Sequence, residues 1–124
     1  MREPVRDKER LLHMIEAINN IEEFTRDITR EQLFHDKMRY FAVVKNIEII
    51  GEAANMLTLE FKKTHTELPW KAIIGMRNVI VHDYINIHED LLWETIQDDV
   101  PYLKSQILIY LNSMQLQTAP SKNS

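Results

Sequence analysis

The sequence predicts an all-α protein, an antiparallel four-helix bundle with short connecting helical turns. Its 124 residues include only 2 Gly and 4 Pro, which disfavours the many tight turns of a sandwich or barrel. Apolar residues recur at three- and four-residue steps along most of the chain. Hydrophobic residues make up 44% and charged residues 27%, which is enough apolar material for one packed core. Such helices can bury their apolar stripes only against one another.

The first two helices are predicted from continuous apolar stripes. The first covers residues 7–28, and its stripe contains Leu11, Met14, Ile15, Ile18, Ile21, Phe24 and Ile28. Thr29 and Gln32 match a capping box, which predicts a short helical turn before the next long helix. The second helix is predicted over residues 36–62, with the stripe Tyr40, Val43, Val44, Ile47, Ile50, Ala54, Leu57 and Phe61.

Two prolines help to define the last two helices. Pro69 marks the start of a third helix over residues 70–82, because a proline at the first helical position loses no hydrogen bond. The pattern breaks near Asn86, and a fourth helix is predicted over residues 89–114, with a kink or restarted turn at Pro101. Residues 115–124 are polar and unpatterned, which predicts a flexible tail after a single domain of residues 1–114.

Both glycines lie inside predicted helices, where a glycine costs about 1 kcal/mol relative to alanine. Gly51 falls in the middle of the apolar stripe of the second helix. We therefore expect close helix contacts at Gly51 and Gly75, and a tight crossing of the second and third helices.

Cysteine content and charge exclude several kinds of protein. Without Cys, the sequence cannot build a disulfide scaffold, a thiolate zinc site, an iron–sulfur cluster or a Cys nucleophile. The start of the chain is charged, and no run reaches the ~20 apolar residues that a membrane helix needs. We therefore expect a cytoplasmic protein with no membrane partner. The net charge of −4 argues against diffuse coating of polyanions but permits one local basic site.

Arg77 is the most informative single residue. It lies near the centre of an apolar stripe formed by Trp70, Ile73, Ile74, Val81 and Tyr84. A guanidinium cannot lose its charge, so this position requires either a carboxylate partner or an interface that meets an anion. Tyr84, about two turns on, points the same way, whereas His82 is rotated by roughly 140° unless the helix frays after Val81. Arg, His and Tyr together suit phosphoryl chemistry.

A purely structural explanation of these residues stays open. In it, Arg77 pairs with Glu48 or Glu52. His82 then caps a helix C-terminus, and Tyr84 belongs to the core. Glu48 and Glu52 lie four residues apart on one helix face, so they form either a surface pair, a partner for Arg77, or an acid–base pair.

The residues after the third helix do not form a metal-binding pattern. The candidate ligands are His82, Asp83, His88, Glu89 and Asp90. Their two histidines are six residues apart, and no helical His-x-x-x-His or His-Glu-x-x-His pattern occurs. We therefore predict neither a metal nor a cofactor.

Residues 77–84, Arg-Asn-Val-Ile-Val-His-Asp-Tyr, resemble the signature of HEPN-domain proteins of the HepT type: Arg, four residues, His, one residue, Tyr. The preceding Pro-Trp-x-x-Ile-x-Gly-Met-Arg-Asn, the segment Ile-Ile-Gly-Glu-Ala-Ala at residues 49–54, Trp-Glu-Thr-Ile at residues 93–96 and Pro101 are also similar to this family. The resemblance extends from about residue 7 to residue 112. Several motifs in order across one small helical domain make it specific.

The resemblance implies a HEPN-like homodimer that acts as the toxin of a toxin–antitoxin pair. It implies a metal-independent endoribonuclease in which Arg77, His82 and Asn78 cleave RNA at a cleft shared by two subunits. It also implies a minimal nucleotidyltransferase antitoxin that transfers AMP to Tyr84. An alternative is a catalytically silent HEPN partner that binds this nucleotidyltransferase and is modified by it. A third possibility is a helical bundle that serves only as an interaction module.

Overall fold

The computed structural model describes residues 5–82 and 89–118. The elements in these ranges are all helical: α1 (Val5–Thr25), α2 (Arg30–His35), α3 (Lys37–Asn55), α4 (Leu59–Thr64), α5 (Trp70–His82), α6 (Glu89–Glu94), a π-helical segment (Thr95–Asp99) and α7 (Val100–Thr118). The all-α prediction is confirmed. In chain order, α1, α3, α5 and the α6–α7 unit correspond to the four predicted helices, and α2 and α4 are short connecting helices.

α1 and α3 form an antiparallel pair, as contacts at both ends show. At one end, Asp7 of α1 accepts a hydrogen bond from the backbone N–H of Thr58, just past α3, at 2.9 Å. At the other end, Nη1 of Arg39 in α3 donates to the carbonyl oxygen of Phe24 at 2.7 Å. α5 packs against α3, and α7 packs against α1. α3 therefore contacts both α1 and α5, and α1 contacts both α3 and α7.

The core lies between these helices. Its largest fully buried side chains are Leu11, Met14, Ile18, Ile21, Leu33, Ile47, Ile50, Leu57, Leu92 and Ile107, with Val43 and Val100. At the edge of the α1–α7 contact, Nζ of Lys104 lies 2.9 Å from Oε1 of Glu22. Among the helices of the described ranges, none combines the length and apolar character needed to cross a membrane.

The predicted second helix, residues 36–62, is not continuous: α3 ends at Asn55, and the remaining helical residues belong to the separate helix α4. Thr58 ends the continuous helix, because its hydroxyl accepts a hydrogen bond from the N–H of Phe61 at 3.1 Å and caps α4. The N–H and hydroxyl of Thr58 in turn donate to the buried carboxylate of Asp7 at 2.9 and 2.8 Å. The apolar residues on either side keep helical spacing, so the sequence pattern conceals this break.

The first helix also ends earlier than predicted, at Thr25 instead of residue 28. Asp27 adopts the left-handed backbone conformation, with φ of 57°, which turns the chain out of α1. The predicted capping box is confirmed. The hydroxyl of Thr29 accepts from the N–H of Gln32 at 3.1 Å, and the side chain of Gln32 accepts from the N–H of Thr29 at 2.8 Å.

The predicted fourth helix is present but irregular. The N–H of Val100 bonds to the carbonyl of Thr95, five residues back, which closes a π-helical turn. Pro101 has no N–H to donate, so it cannot complete the α-helical pattern with the preceding turn. The predicted irregularity at Pro101 therefore takes the form of a π-helical segment. α7 continues to Thr118, beyond the predicted end at residue 114; the division of the chain into one domain and a tail stays a prediction.

Gly51 lies where α3 crosses α5, and the expected tight crossing is confirmed. A Cβ at Gly51 would lie 2.8 Å from Cβ of Arg77, 2.9 Å from its backbone nitrogen and 3.2 Å from the carbonyl oxygen of Ile73. Only glycine fits there without a shift of the helices. A Cβ at Gly75, by contrast, would meet nothing within 4 Å among the described residues. Within the part of the chain that the structure describes, the expected close contact at Gly75 is therefore wrong.

The two glycines give a matched pair of alanine variants. Gly51→Ala is expected to lower the free energy of unfolding by about 1–3 kcal/mol, because α3 and α5 must move apart. Gly75→Ala is expected to raise it by about 0.5–1 kcal/mol, because alanine favours the helix and has room. Urea unfolding of both variants tests this. Equal stability of the two variants would contradict the tight crossing at Gly51.

The segment that leads into α5 is tied to α7 by Tyr110, whose hydroxyl donates to Oε1 of Glu67 at 2.8 Å. His65 stacks on Phe61 with ring centroids 3.9 Å apart, and both rings meet Tyr110 edge-on. Nε1 of Trp70 donates to the carbonyl of His65 at 2.7 Å. The hydrogen bond from Tyr110 lowers the pKa of Glu67, whereas burial, followed by the same bond, raises the pKa of Tyr110. These contacts fix the point at which α5 begins.

Tyr110→Phe is expected to weaken the dependence of stability on acidic pH. The folded-state pKa of Glu67 is below 4.5, so its contribution to the free energy of unfolding is present above that pH and is lost as the pH falls through the folded-state pKa. Without the Tyr110 hydroxyl, the main cause of this pKa shift is gone. Urea unfolding near neutral pH and again well below pH 4.5 should show a smaller loss of stability in the variant. An unchanged loss would contradict a role for this bond.

Candidate functional site

Arg77 lies on α5 directly against α3. The missing side chain of Gly51 lets the backbone of α5 approach so closely that Cβ of Arg77 meets α3 itself. The Arg77 side chain is 25% exposed, so most of its length is covered while its end reaches the surface. The sequence-based expectation of an arginine within an apolar helix contact is thus met, and the charge sits at the edge of that contact.

The guanidinium of Arg77 is only loosely held. Nη1 lies 3.4 Å from Oε1 of Glu52, which is longer than the ~2.7–2.9 Å of a strong charge-assisted bond. The carboxylate of Glu52 is itself 57% exposed. Nε of Arg77 is buried and has no hydrogen-bond partner among the described residues. Arg77 therefore keeps unused donor capacity at a covered position, where an unpaired donor is unfavourable.

Glu48 and Glu52 do not act on Arg77 together. Glu52 contacts Arg77, whereas Oε1 of Glu48 lies 3.4 Å from Nζ of Lys45, its neighbour one turn away on α3. The pairing foreseen in the structural explanation of Arg77 is therefore present for Glu52 and absent for Glu48 within the described ranges. An acid–base pair of the two carboxylates at Arg77 is not formed in this arrangement.

The other predicted site residues follow Arg77 along the chain. Asn78 and His82 belong to α5, which is helical through position 82, but the structure does not describe their side chains. Tyr84 lies outside the described residues, as do Asp83 and His88. The roles assigned to these residues stay predictions. Among the described residues, no group of three His, Asp or Glu side chains is arranged to hold a metal ion.

A polar cleft between α1 and α3, here called the α1–α3 cleft, adjoins Arg77 and was not predicted. It has a volume of about 250 Å³. Its polar lining consists of Arg10, His13, Glu16, Asn20, Asn46 and Glu52. Nε of Arg10 is buried and, like that of Arg77, has no hydrogen-bond partner in the part of the chain that the structure describes. Glu52 belongs both to this cleft and to the ion pair with Arg77.

One signal in the sequence points to this cleft. Asn46 interrupts the apolar stripe of α3, between Val44 and Ile47, at a position that is 7% exposed. Its side-chain oxygen accepts from Nδ2 of Asn20 at 3.1 Å, and its Nδ2 donates to the carbonyl of Ala42 at 2.8 Å. A buried asparagine needs partners of this kind, so an amide inside an apolar stripe indicates a polar feature between two helices.

The sequence is similar to known proteins over most of its length. The sequence model of the HepT-like family, described as Ribonuclease HepT-like, matches residues 14–108. A Thermococcus cleftensis protein named as a probable ribonuclease HepT is 41% identical over 99 residues, which cover 80% of this chain and 90% of that protein. A Methanocaldococcus jannaschii protein named as a candidate RNase is 36% identical over 99 residues, covering 80% of this chain and 91% of that protein.

A third relative, from Caldanaerobacter subterraneus and also named as a candidate RNase, is 35% identical over 97 residues, covering 78% of this chain and 87% of its own length. No solved structure matches the chain. The family match runs from Met14 in α1 to Leu108 in α7, so it includes Arg77 and all residues that line the α1–α3 cleft except Arg10 and His13. On this basis, the chain belongs to the HepT-like ribonuclease family.

Proposed function

We propose that this protein is a metal-independent endoribonuclease and the toxin of a toxin–antitoxin pair, with Arg77 as its phosphate-binding residue. The observation that carries this proposal is the state of Arg77: among the described residues, its covered Nε has no hydrogen-bond partner, and its guanidinium has only a long contact to Glu52. A phosphate offers this planar group the close, bidentate contact that Glu52 does not. Membership of a ribonuclease family supplies the class of substrate, an RNA phosphodiester.

The proposed reaction is an intramolecular transesterification at an RNA phosphodiester. The ribose 2′-oxygen attacks phosphorus, the bond from phosphorus to the 5′-oxygen breaks, and the products are a 2′,3′-cyclic phosphate and a 5′-hydroxyl end. His82 moves the proton from the attacking 2′-hydroxyl or to the leaving 5′-oxygen. Arg77 stabilises the negative charge that develops on the phosphoryl oxygens. Asn78 orients the imidazole or contacts the phosphate.

The proposed active form is a homodimer whose two motifs share one cleft. Because α5 is helical through His82, positions 77 and 82 lie roughly 140° apart around its axis. A single α5 thus directs these positions to different sides, whereas two copies can bring position 77 of one chain near position 82 of the other. This geometry supports a site built between subunits.

A face of α3 beside Glu52 also supports the dimer. Large apolar side chains are exposed along it at helical spacing: Met38, Phe41, Ile49 and Met56. On a wheel of about 100° per residue, these positions and Glu52 fall within one narrow sector. Exposed apolar side chains along one helix face are typical of a protein–protein contact, and here they alternate with the exposed charged side chains of Lys45 and Glu52. A second copy packed there would cover Met38 and Phe41, lie close to Arg77 and border the α1–α3 cleft, which Ile49 and Met56 also line.

The proposed antitoxin is a nucleotidyltransferase that places AMP on Tyr84. In the sequence, Tyr84 follows Arg77 by seven residues, about two helical turns. An AMP group there would bring bulk and a negative phosphate to the same guanidinium that binds RNA. Neutralisation would then need no refolding. The net charge of −4 favours the alternative, a catalytically silent partner that is only bound and modified, because nucleic-acid enzymes are usually more basic.

RNA cleavage by the purified protein separates these two possibilities. We expect unmodified protein, checked by intact mass for AMP, to cut RNA in the presence of a chelator. Arg77→Ala and His82→Ala should each lower the rate at least ~100-fold, because each removes a group that acts in the transition state. Lys63→Ala, an exposed change on α4, is the control and should cut normally. Cleavage at the normal rate by both site variants would contradict the proposal, and no cleavage by unmodified dimer would favour the silent partner.

Mixing the two inactive variants tests the shared cleft. Unfolding and refolding Arg77→Ala together with His82→Ala yields heterodimers in which one cleft keeps an intact Arg77 and an intact His82 from different chains. The mixture should regain a substantial part of the wild-type rate, whereas each variant refolded alone should stay inactive. Heterodimers verified by two affinity tags that remain inactive would contradict a site made from both subunits, as would a monomer in sedimentation of active protein.

A further inference from the structure

The α1–α3 cleft has the composition of a site for a flat, polar ring. Its apolar part is formed by Ala17, Ile49, Ala53 and Met56, and its polar part by side chains that include Arg10, Glu16 and Asn20. The volume of about 250 Å³ is close to the lower end of the ~300–1,000 Å³ of small-molecule pockets. An apolar surface for the face of a ring and polar groups for its edge are the two features by which proteins hold an unstacked base.

The polar part of this cleft has hydrogen-bonding capacity to spare. Nε of Arg10 is covered and has no acceptor among the described residues. Asn46 uses both ends of its amide in bonds to Asn20 and to the backbone of Ala42, which fixes the Asn20 side chain at the cleft wall. That arrangement employs only one N–H of Asn20, so its remaining groups are available to a ligand.

The charges of the cleft select against an anion as its main occupant. Arg10 and His13 face two carboxylates, Glu16 and Glu52, so a phosphate would meet repulsion together with attraction. A neutral ligand that offers both N–H donors and acceptors meets no such conflict. Carboxylates accept hydrogen bonds from the exocyclic amino groups of bases, such as N4 of cytosine, and an arginine N–H donates to ring nitrogens and carbonyl oxygens.

The position of the cleft connects it to Arg77. Glu52 lines the cleft and also lies 3.4 Å from Nη1 of Arg77, so the two features are separated by one side chain. A chain that places a phosphate at Arg77 therefore brings a neighbouring nucleotide to the mouth of the cleft. A phosphate at Arg77 also takes over the contact of Glu52 and leaves that carboxylate free to face the cleft.

We propose that the α1–α3 cleft binds one unstacked RNA base beside the phosphate held at Arg77, and that it prefers bases with an exocyclic amino group. The identity of the ligand as RNA rests on the proposed ribonuclease function. In this arrangement, the base lies against Ile49 and Met56, the Arg10 side chain shifts so that its covered Nε donates to the base, and Glu16 accepts from its amino group. The cleft thus gives the enzyme a base preference next to the cleaved bond.

Cytidine and uridine are suitable probes, because they have similar shapes, carry no phosphate and differ only at the edge of the ring, where cytidine has an amino group on C4 and an acceptor at N3 and uridine has a carbonyl and an N–H. We expect titration with cytidine to shift the Nε–Hε NMR signal of Arg10, assigned by its loss in Arg10→Lys, in a saturable way. Uridine should bind about tenfold more weakly, since it lacks the donor to Glu16. In Glu16→Gln, the preference for cytidine should fall by about the same factor. Glu9→Gln, the same change at an exposed α1 position outside the cleft, should leave it intact.

The absence of a saturable cytidine shift would overturn the proposal, as would equal binding of the two nucleosides. The base preference of cleavage, measured with RNA libraries for the same proteins, tests the base site and the ribonuclease function separately. Cleavage with the same base preference in wild type and Glu16→Gln would overturn the base site and leave the ribonuclease intact. Selective cytidine binding by a protein that cuts no RNA would overturn the ribonuclease and leave the cleft as a nucleoside site.

Discussion

The contact of Gly51 with the backbone of Arg77 is the constraint on which the rest of the arrangement depends. A Cβ at position 51 would lie 2.8 Å from Cβ of Arg77. No residue larger than glycine therefore allows α3 and α5 to cross at this distance. The crossing covers most of the Arg77 side chain and leaves its end beside Glu52. Because α3 also packs against α1, the same helix forms one wall of the polar cleft. One glycine thus brings a cationic group and a cleft to the same surface.

The main features of the fold could be predicted from the sequence because periodicity reports burial. Apolar spacing located α1, α3, α5 and the α6–α7 unit, and the capping box at Thr29 located the start of α2. The break at Thr58 could not be predicted, since it depends on a hydrogen bond to Asp7, 51 residues away in the chain. The expected contact at Gly75 was wrong for a similar reason, because the sequence does not show whether another helix packs against a glycine.

Only the part of the candidate site around Arg77 could be predicted from the sequence, because there an unusual position for a charged residue coincides with a family motif. Arg77 was recognisable as a charge in an apolar stripe, and its two candidate partners were named, but sequence spacing could not decide between Glu48 and Glu52. The geometry decides it, because Lys45 lies one turn from Glu48 and pairs with it. Arg10 carried no signal at all. It is one of several charged residues at the start of α1, and only the folded structure shows that its Nε is covered and has no hydrogen-bond partner among the described residues.

The contact between Arg77 and Glu52 has a consequence for the response to ionic strength. An anion that binds Arg77 must replace an exposed carboxylate that already occupies part of the guanidinium. Dissolved ions screen the Arg77–Glu52 pair and the pair of Arg77 with a phosphate to a similar extent. Binding of the phosphate therefore replaces one screened ion pair by another. The affinity of Arg77 for an incoming phosphate should therefore fall less steeply with salt than that of an unoccupied arginine. Glu52 acts as an internal counterion that buffers the site against changes in the surrounding electrolyte.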